Sequence, residues 1–168
     1  MMPVPLDQEH VLAVLAAVKD PEIPTISVVD LGMVERVEVS ESAPRLTVEL
    51  IPTFLGCPAL EVIRGRALHA LVEAFELDPS DCLVKFGLSR PWSSDRVSAE
   101  GRERLRAWGM APPPMATVAQ FVEGSIAVAC PLCQSLDTEV ENLFGSAACR
   151  ALYYCRSCRN PFEVMKPI

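Results

Sequence analysis

The sequence predicts an α+β protein, in which a small mixed sheet with packed helices is followed by a small zinc-ribbon module with four cysteine ligands. Three observations lead to this class. Helix and strand patterns come in the order α-β-β-α-β-α over the first two-thirds of the chain. A proline run, Pro112–Pro114, then interrupts the pattern. Two Cys-x-x-Cys pairs, Cys130–Cys133 and Cys155–Cys158, follow with 21 residues between them, and this spacing is typical of tetrahedral zinc sites.

The first half of the chain opens with a helix, which is predicted over Asp7–Lys19. An aspartate at its start can accept hydrogen bonds from the first turn, and apolar residues recur on one face. Two prolines, Pro21 and Pro24, end the helix. Two strands, Val34–Val39 and Arg45–Ile51, follow as a hairpin, and apolar and polar residues alternate clearly in the second strand.

A long second helix is predicted over Ala59–Leu77, with apolar residues at every third or fourth position and Pro58 at a place that favours helix entry. A third strand, Leu83–Leu88, and a shorter helix, Ser94–Trp108, complete this region. Four short strands are predicted around the cysteine pairs: Gly124–Cys130, Asp137–Phe144, Ala151–Cys155 and Pro161–Met165.

These patterns divide the chain into three parts. Residues 1–110 are predicted to form the α+β domain, residues 111–123 a proline-rich linker, and residues 124–168 the four-cysteine zinc ribbon. The ribbon is too small to build an adequate apolar core. We therefore expect metal binding to supply much of its folding free energy, which is about 10 kcal/mol in small zinc peptides.

Composition and charge exclude several classes of protein. Half of the residues are apolar, which predicts a folded chain. The formal charge is −7 and no block of basic residues occurs, so we expect no nucleic-acid partner. No apolar run approaches the roughly 18 residues of a membrane span. The first residues show neither the charged nor the apolar region of a secretion signal, so we expect none. Seven cysteines, four of them in pairs, fit a cytoplasmic protein with reduced thiols and no membrane association.

The four paired cysteines, Cys130, Cys133, Cys155 and Cys158, are predicted metal ligands. Two residues between the sulfurs of a pair let one tight turn aim both at the same ion. A structural zinc ion with no open coordination position is favoured. A redox or iron–sulfur centre built on the same four thiolates is the alternative. Cys149 is a fifth thiol, which we expect to pack as a small apolar side chain, with a ligand or exchange role as the alternative.

Cys57 has the most suggestive surroundings of the remaining thiols. It stands in a Gly-Cys-Pro loop immediately before the long helix, where backbone N–H groups and the helix dipole stabilise a thiolate. This placement fits a reactive thiol or an intermolecular metal ligand, and it fits a cysteine packed against the sheet equally well. Cys82, at a predicted strand start, is expected to belong to the core.

The sequence predicts no catalytic set. His10 and His69 lie on predicted helices without a second ligand at helical spacing, so neither a Ser-His-Asp site nor a histidine-rich metal site is supported. The acidic residues Asp20, Glu22 and Asp30 border two turns. They could perform acid–base chemistry, but hydrogen bonding within the turns is favoured.

Several segments resemble a known family. Asp20–Pro24 (Asp-Pro-Glu-Ile-Pro), Asp30–Gly32 and Pro52–Ala59 (Pro-Thr-Phe-Leu-Gly-Cys-Pro-Ala) resemble the signature of the SufT-like family, which is associated with iron–sulfur protein assembly. Arg90–Trp92, Gly109–Pro113 and the two cysteine pairs further resemble one branch of it, the D subunits of phenylacetyl-CoA epoxidases. The resemblance covers nearly the whole chain.

The resemblance implies an accessory maturation role rather than catalysis by this chain alone. It points to a multicomponent di-iron monooxygenase that converts phenylacetyl-CoA to its ring 1,2-epoxide in aerobic phenylacetate catabolism. Cys57 would be the functional thiol, which binds a transient iron–sulfur cluster or docks a partner. The implied partners are the other epoxidase subunits, especially the iron–sulfur reductase, or a second copy of the chain. The alternative functions are an electron-transfer or catalytic subunit with a four-cysteine iron centre, and a nucleic-acid-binding zinc ribbon.

Overall fold

The computed structural model describes residues 5–88 and 90–168, and the chain divides into two units, Met1–Pro91 and Trp92–Ile168. The whole net charge falls on the first unit, which has 14 acidic and seven basic residues, whereas the second has eight of each. Across the two described ranges, we find no helix that combines the length and the apolar character needed to cross a membrane.

The described part of the first unit consists of a three-stranded sheet and two helices. Its elements are α1 (Gln8–Leu15), β1 (Val34–Val39), β2 (Leu46–Leu50), α2 (Leu60–Phe75), a 3-10 turn (Pro79–Asp81) and β3 (Cys82–Phe86). The strand order is β1-β2-β3, with β1 antiparallel and β3 parallel to β2. This mixed sheet with packed helices confirms the predicted fold class, and each predicted strand of the unit is found within two residues of its expected bounds.

The central strand β2 shows why this sequence folds as it does. Leu46, Val48 and Leu50 are fully buried, whereas the two residues between them are half-buried. This alternation places one face of the sheet against the helices. Helix α2 contributes Ile63 and Leu71 from one face. Because β2 and α2 are both fixed by buried side chains, the loop that joins them is held at both ends.

Helix α1 is shorter than the sequence predicts, since it ends at Leu15 rather than Lys19. The cap at Asp7 is as predicted, because its side chain accepts a hydrogen bond from the N–H of His10 at 3.0 Å. At the other end, Lys19 forms an antiparallel bridge with Ser27. The backbone that would have continued the helix is therefore used to pair with the following turn.

The second unit is built on a four-stranded sheet. Its described elements are a 3-10 turn (Ser94–Arg96), α3 (Ala99–Trp108), β4 (Met110–Ala111), α4 (Val118–Val122), β5 (Thr138–Asn142), β6 (Arg150–Cys155) and β7 (Pro161–Met165). The strand order is β4-β7-β6-β5. Strand β4 is parallel to β7, and the other neighbours are antiparallel.

The strand predicted over Gly124–Cys130 is wrong, because the structure has no strand there. The carbonyl oxygen of Val128 accepts a hydrogen bond from the Thr138 hydroxyl at 2.7 Å. The N–H of Cys130 donates to the carbonyl of Ser135 at 2.9 Å. These local bonds use backbone groups that a strand would need for its ladder.

The helix predicted over Ser94–Trp108 is divided in two. Val97 is extended, with φ −65° and ψ 120°, and Ser98 then caps α3 by accepting a hydrogen bond from the N–H of Gly101 at 2.9 Å. The serine cap sets the start of α3, so only the last ten predicted residues are α-helical.

One apolar cluster forms the core of the second unit. Its buried members are Ala111, Phe121, Val128, Cys130, Ala151, Tyr153, Cys155, Phe162 and Val164. The Tyr153 ring lies 5.9 Å from each of the rings of Phe121 and Phe162, between centroids. Residues 111 and 121 belong to the segment predicted as a linker, and two members are cysteines of the predicted metal site. The core therefore joins that segment, the sheet and the cysteines.

Candidate functional site

The second unit brings the four paired cysteines together. The Sγ atoms of Cys130, Cys133, Cys155 and Cys158 all lie within 4.8 Å of one another. Cys130 Sγ is 3.7 Å from Cys158 Sγ, and Cys133 Sγ is 3.5 Å from Cys155 Sγ. Disulfide sulfurs would be about 2.05 Å apart. Zn–S bonds of about 2.3 Å give tetrahedral edges of about 3.8 Å, so these four residues fit a tetrahedral metal ion and form a metal-binding cluster, the cysteine quartet.

Both cysteine pairs adopt the same tight turn. In the first pair the N–H of Gln134 donates to the carbonyl of Cys130 at 2.9 Å, and in the second the N–H of Arg159 donates to that of Cys155 at 2.8 Å. The N–H of each leading cysteine also donates to the carbonyl five residues later, at 2.9 and 3.0 Å. Gln134 and Arg159 share a left-handed backbone, with φ 64° and 61°. The repeated turn explains how two short segments present their sulfurs to one point.

Three thiols of the quartet have pKa values shifted by their surroundings. Burial raises the pKa of Cys130. A hydrogen bond from the N–H of Ser135 lowers the pKa of Cys133, but burial and the three neighbouring sulfurs outweigh it and raise that pKa to about 12. The side chain of Asn160, followed by weaker hydrogen bonds, lowers the pKa of Cys158 to about 6. Because thiolates are the metal-binding form, binding of a cation to the quartet releases protons, and metal affinity increases with pH.

The quartet is anchored in the core on one side. Cys130 and Cys155 are fully buried, Cys158 is half-buried and Cys133 is exposed. Four thiolates complete a tetrahedral shell and leave no position for a substrate or an activated water. The arrangement therefore suits a structural ion better than a catalytic one.

Two serines that the sequence analysis did not single out join the two turns. The Oγ atoms of Ser135 and Ser157 lie 2.7 Å apart, at hydrogen-bond distance. One serine follows the first cysteine pair and the other lies inside the second pair. Serine is common in turns of every kind, so the sequence carries no signal that would have identified this contact.

Cys57 lies in the loop that joins β2 to α2. Its N–H donates to the carbonyl of Phe54 at 3.1 Å, and its own carbonyl accepts from the N–H of Leu60 at 3.3 Å. The cysteine is half-buried, whereas Leu55 at the tip of the loop is 75 % exposed. The N-cap of α2, Ala59, contributes no side-chain hydrogen bond, which leaves the N–H groups of the first turn to other acceptors. Backbone hydrogen bonds on both sides of Cys57 hold the loop, and its thiol is not sealed in the core.

A second turn lies at the same end of the sheet as the Cys57 loop. The N–H of Ile51 donates to the carbonyl of Met33 at 2.7 Å, which joins the residues after β2 to those before β1. In this turn Asp30 is buried, and its carboxylate accepts from the N–H and the hydroxyl of Ser27 at 2.9 and 2.7 Å. Asp20 likewise accepts from the N–H groups two and three residues later, at 2.7 and 2.9 Å. These bonds support the predicted role of both carboxylates in the turns.

The remaining cysteines and the two histidines that the sequence analysis considered lie outside both of these sites. Cys82 is 6 % exposed, and burial raises its pKa to about 11, as expected for a core thiol. Cys149 is half-buried and lies outside the quartet. The side chains of His10 and His69 are 41 % and 81 % exposed and lie beside carboxylates of their own helix segments. None of the seven cysteines, all within the described ranges, forms a disulfide.

Both units match known protein families. Residues 8–78 match the iron–sulfur cluster assembly protein family, and residues 116–166 match the PaaD zinc β-ribbon domain. Over 164 residues the chain is 35 % identical to a candidate D subunit of 1,2-phenylacetyl-CoA epoxidase from Escherichia coli (strain K12), and the match covers 98 % of this chain and 95 % of that protein.

The fold was also compared with solved structures, and one of them matches part of the chain with a TM-score above 0.5. A domain of unknown function, DUF59, from Bacillus anthracis is 28 % identical, with a TM-score of 0.52, over 58 % of this chain and 89 % of that chain. A conserved hypothetical protein from Thermotoga maritima is 26 % identical, with a TM-score of 0.48, over 62 % and 97 % of the two chains.

The fold and the site together define a protein in which an iron–sulfur-assembly domain is joined to a four-cysteine metal-binding ribbon. The relative that matches over nearly the full length makes the assignment more specific. The chain belongs to the family of phenylacetyl-CoA epoxidase D subunits.

Proposed function

We propose that this chain is an accessory component of a phenylacetyl-CoA epoxidase system in phenylacetate catabolism, and that it assists the assembly or upkeep of an iron–sulfur or di-iron centre. The near full-length relative and the iron–sulfur assembly domain support the proposal. The observation that carries it is the ordered turn at the entrance of α2, which holds the half-buried Cys57. We place this function in the cytoplasm, where thiols stay reduced.

The chemistry assigned to Cys57 is that of a soft ligand for iron. A thiolate binds iron–sulfur clusters, which commonly take four such ligands. The first unit contains two cysteines, and the other one, Cys82, is buried. A cluster carried at Cys57 as cargo would therefore take its remaining ligands from a second copy of the chain or from the client protein.

The partners follow from the same reasoning. The relative is named as one subunit of an epoxidase, so the other subunits are the first candidates. Among them the iron–sulfur reductase is the client we favour, because it would itself supply thiolate ligands. A homodimer is the alternative, and sedimentation after cluster loading separates the two: a doubling of mass supports the homodimer.

The cysteine quartet is assigned structural zinc. Its closed set of four sulfurs and its place in the core support this role. Four thiolates also fit iron, which would instead make the ribbon an electron-transfer centre. Metal analysis and an absorption spectrum of anaerobically purified protein distinguish them. One zinc per chain in a colourless solution supports the structural role, and stoichiometric iron with visible absorption overturns it.

The proposal is tested by replacing Cys57 in the assembled system. The epoxidase subunits are co-expressed with the native chain, with Cys57→Ser or with Cys149→Ser as the matched control. Iron content of the purified epoxidase and consumption of phenylacetyl-CoA are measured. We expect Cys57→Ser to lower both, because a hydroxyl is a poor ligand for iron, and Cys149→Ser to leave both unchanged.

Metal content and circular dichroism of the variant chain show whether it is folded. If a folded Cys57→Ser chain supports the same iron content and activity as the native chain, Cys57 is not the working thiol.

A further inference from the structure

A segment of the second unit lies outside both family matches. One match ends at residue 78 and the other begins at residue 116. Residues 92–115, which we name the strap, contain the 3-10 turn, α3 and β4. The strap nevertheless belongs to the same unit as the cysteine quartet. Two sets of contacts attach it there, and a third holds the strap together.

The first attachment is strand pairing. Met110 pairs with Glu163 and Ala111 with Val164, so that β4 becomes the parallel neighbour of β7. Met110 and Ala111 are 2 % and 1 % exposed. Ala111 also belongs to the apolar core that contains two of the four cysteines. The strap is thus part of the core of the unit and does not merely lie on its surface.

The second attachment is a reciprocal pair of hydrogen bonds, which we name the clasp. The N–H of Ser94 donates to the carbonyl of Ile168 at 3.1 Å, and the N–H of Ile168 donates to the hydroxyl of Ser94 at 2.7 Å. Ser94 is 6 % exposed, whereas Ile168 is 43 % exposed, so the bonds are partly buried. The clasp connects the start of the strap to the segment that follows β7.

The third set of contacts lies within the strap and comes from the guanidinium of Arg102, on α3. The guanidinium donates to the carbonyl of Pro113 at 2.7 Å and to the carbonyl of Ser94 at 2.8 Å. Hydrogen bonds from a charged donor are roughly twice as strong as neutral ones. Arg102 therefore joins the first part of the strap to its last part and fixes the shape in which the segment docks.

The strand pairing and the clasp join the strap to β7 and to Ile168 beyond it, and the position of β7 depends on the second cysteine turn. Strand β6 ends at Cys155 and β7 begins at Pro161, so the turn of this hairpin is the second cysteine pair with Cys158 at its centre. A ribbon of this size has a small core, and metal binding at such sites contributes directly to folding. Without the ion, only the small core and the strand hydrogen bonds fix the register between β6 and β7.

We propose that metal binding at the cysteine quartet orders the strap, so that residues 92–115 are docked when the quartet is loaded and undocked when it is not. Coupling of this kind is reciprocal, so contacts within the strap also increase the metal affinity of the quartet. This inference rests on the four-sulfur site and does not depend on the role of Cys57.

Hydrogen–deuterium exchange of the full chain tests the proposal. The protein is compared with zinc bound and after zinc is removed by a chelator under reducing conditions. We expect peptides from 92–115 to lose protection together with β6 and β7, while β2 and β3 keep theirs. Continued protection of the strap in metal-free protein whose β6 and β7 have opened would overturn the proposal.

Two strap variants test the reverse direction of the coupling. Arg102→Gln removes the charged donor, and Ser94→Ala removes one bond of the clasp with a smaller disturbance. Arg104→Gln is the matched control, because this arginine is exposed on the same helix. We expect Arg102→Gln to weaken zinc affinity about tenfold in competition with a chromogenic chelator, Ser94→Ala to weaken it less, and Arg104→Gln to leave it unchanged. Native zinc affinity in both strap variants would contradict the coupling.

Discussion

Gln134 and Arg159 occupy equivalent places in the two cysteine turns, each directly after the second cysteine of its pair and each with a left-handed backbone, at φ 64° and 61°. A residue with a Cβ atom is strained in this conformation by about 1 kcal/mol, whereas glycine is not.

Replacing either residue by glycine is therefore expected to stabilise the metal-loaded second unit by up to about 1 kcal/mol. Gln134→Gly and Arg159→Gly would each raise the melting temperature and slow the release of zinc to a chelator. Gln134→Ala, which keeps the Cβ atom, serves as the control and should show no gain. A lower melting temperature for both glycine variants would show that these side chains make contacts worth more than the backbone strain.

In the first unit, Gly87 lies against the side chain of Glu49. A Cβ atom at position 87 would stand 2.1 Å from Glu49 Oε1 and 2.8 Å from its Cγ. The Glu49 side chain is only 12 % exposed, and its carboxylate lies 3.4 Å from the Arg36 guanidinium and 3.5 Å from the Lys85 ammonium. We expect Gly87→Ala to destabilise the unit by about 1–2 kcal/mol, because Glu49 must leave these partners.

The double variant isolates the cause of that loss. In a Glu49→Ala background the space beside residue 87 is open, so Gly87→Ala should lower the free energy of unfolding much less. Thermal unfolding of the four proteins of this cycle measures the difference. An equal loss of stability in both backgrounds would assign the effect to the backbone of Gly87 rather than to its contact with Glu49.

Cys82 is expected to make the first unit sensitive to alkali. Burial raises its pKa from 9.0 to about 11, so the folded state favours the protonated thiol. Its stabilising contribution is fully present below pH 9 and is lost as pH rises through 11. Thermal unfolding between pH 8 and pH 11 should therefore show a steeper loss of stability in the native chain than in Cys82→Ala. Parallel pH profiles would exclude this contribution.

Loss of one buried ligand should remove the metal. Cys155→Ser replaces a fully buried sulfur of the quartet, and we expect zinc content to fall from one per chain to near zero, with loss of β structure in the second unit. Cys149→Ser, a thiol substitution outside the quartet, should keep one zinc. Mass spectrometry under native conditions measures both, and a Cys155→Ser chain that retains its zinc would mean that three sulfurs suffice.

Much of this architecture is encoded in short-range patterns. The strand β2 was predictable because apolar residues alternate over Leu46–Leu50 and the buried face selects one register. The quartet was predictable as a group because the spacing within each cysteine pair fixes a turn. Only the structure shows that the two turns converge on one point.

The remaining features depend on contacts between residues far apart in the sequence. Strand β4 has two residues, and it exists because β7, some fifty positions later, offers a free edge. The predicted strand over Gly124–Cys130 fails for the opposite reason, because nearby groups such as the Thr138 hydroxyl take its backbone bonds. A single sequence does not show which of the competing hydrogen-bond partners a given backbone group will take.

The uneven division of charge has a consequence for how the two halves respond to ionic strength. The first unit carries the entire excess of seven negative charges, and the second is balanced. At low salt the mutual repulsion of its carboxylates acts on the first unit alone, and a basic surface approaching through solution is drawn toward that half. Added salt shortens the reach of this field to about 8 Å at physiological strength, so encounters with a cationic protein would slow while the balanced half changes little.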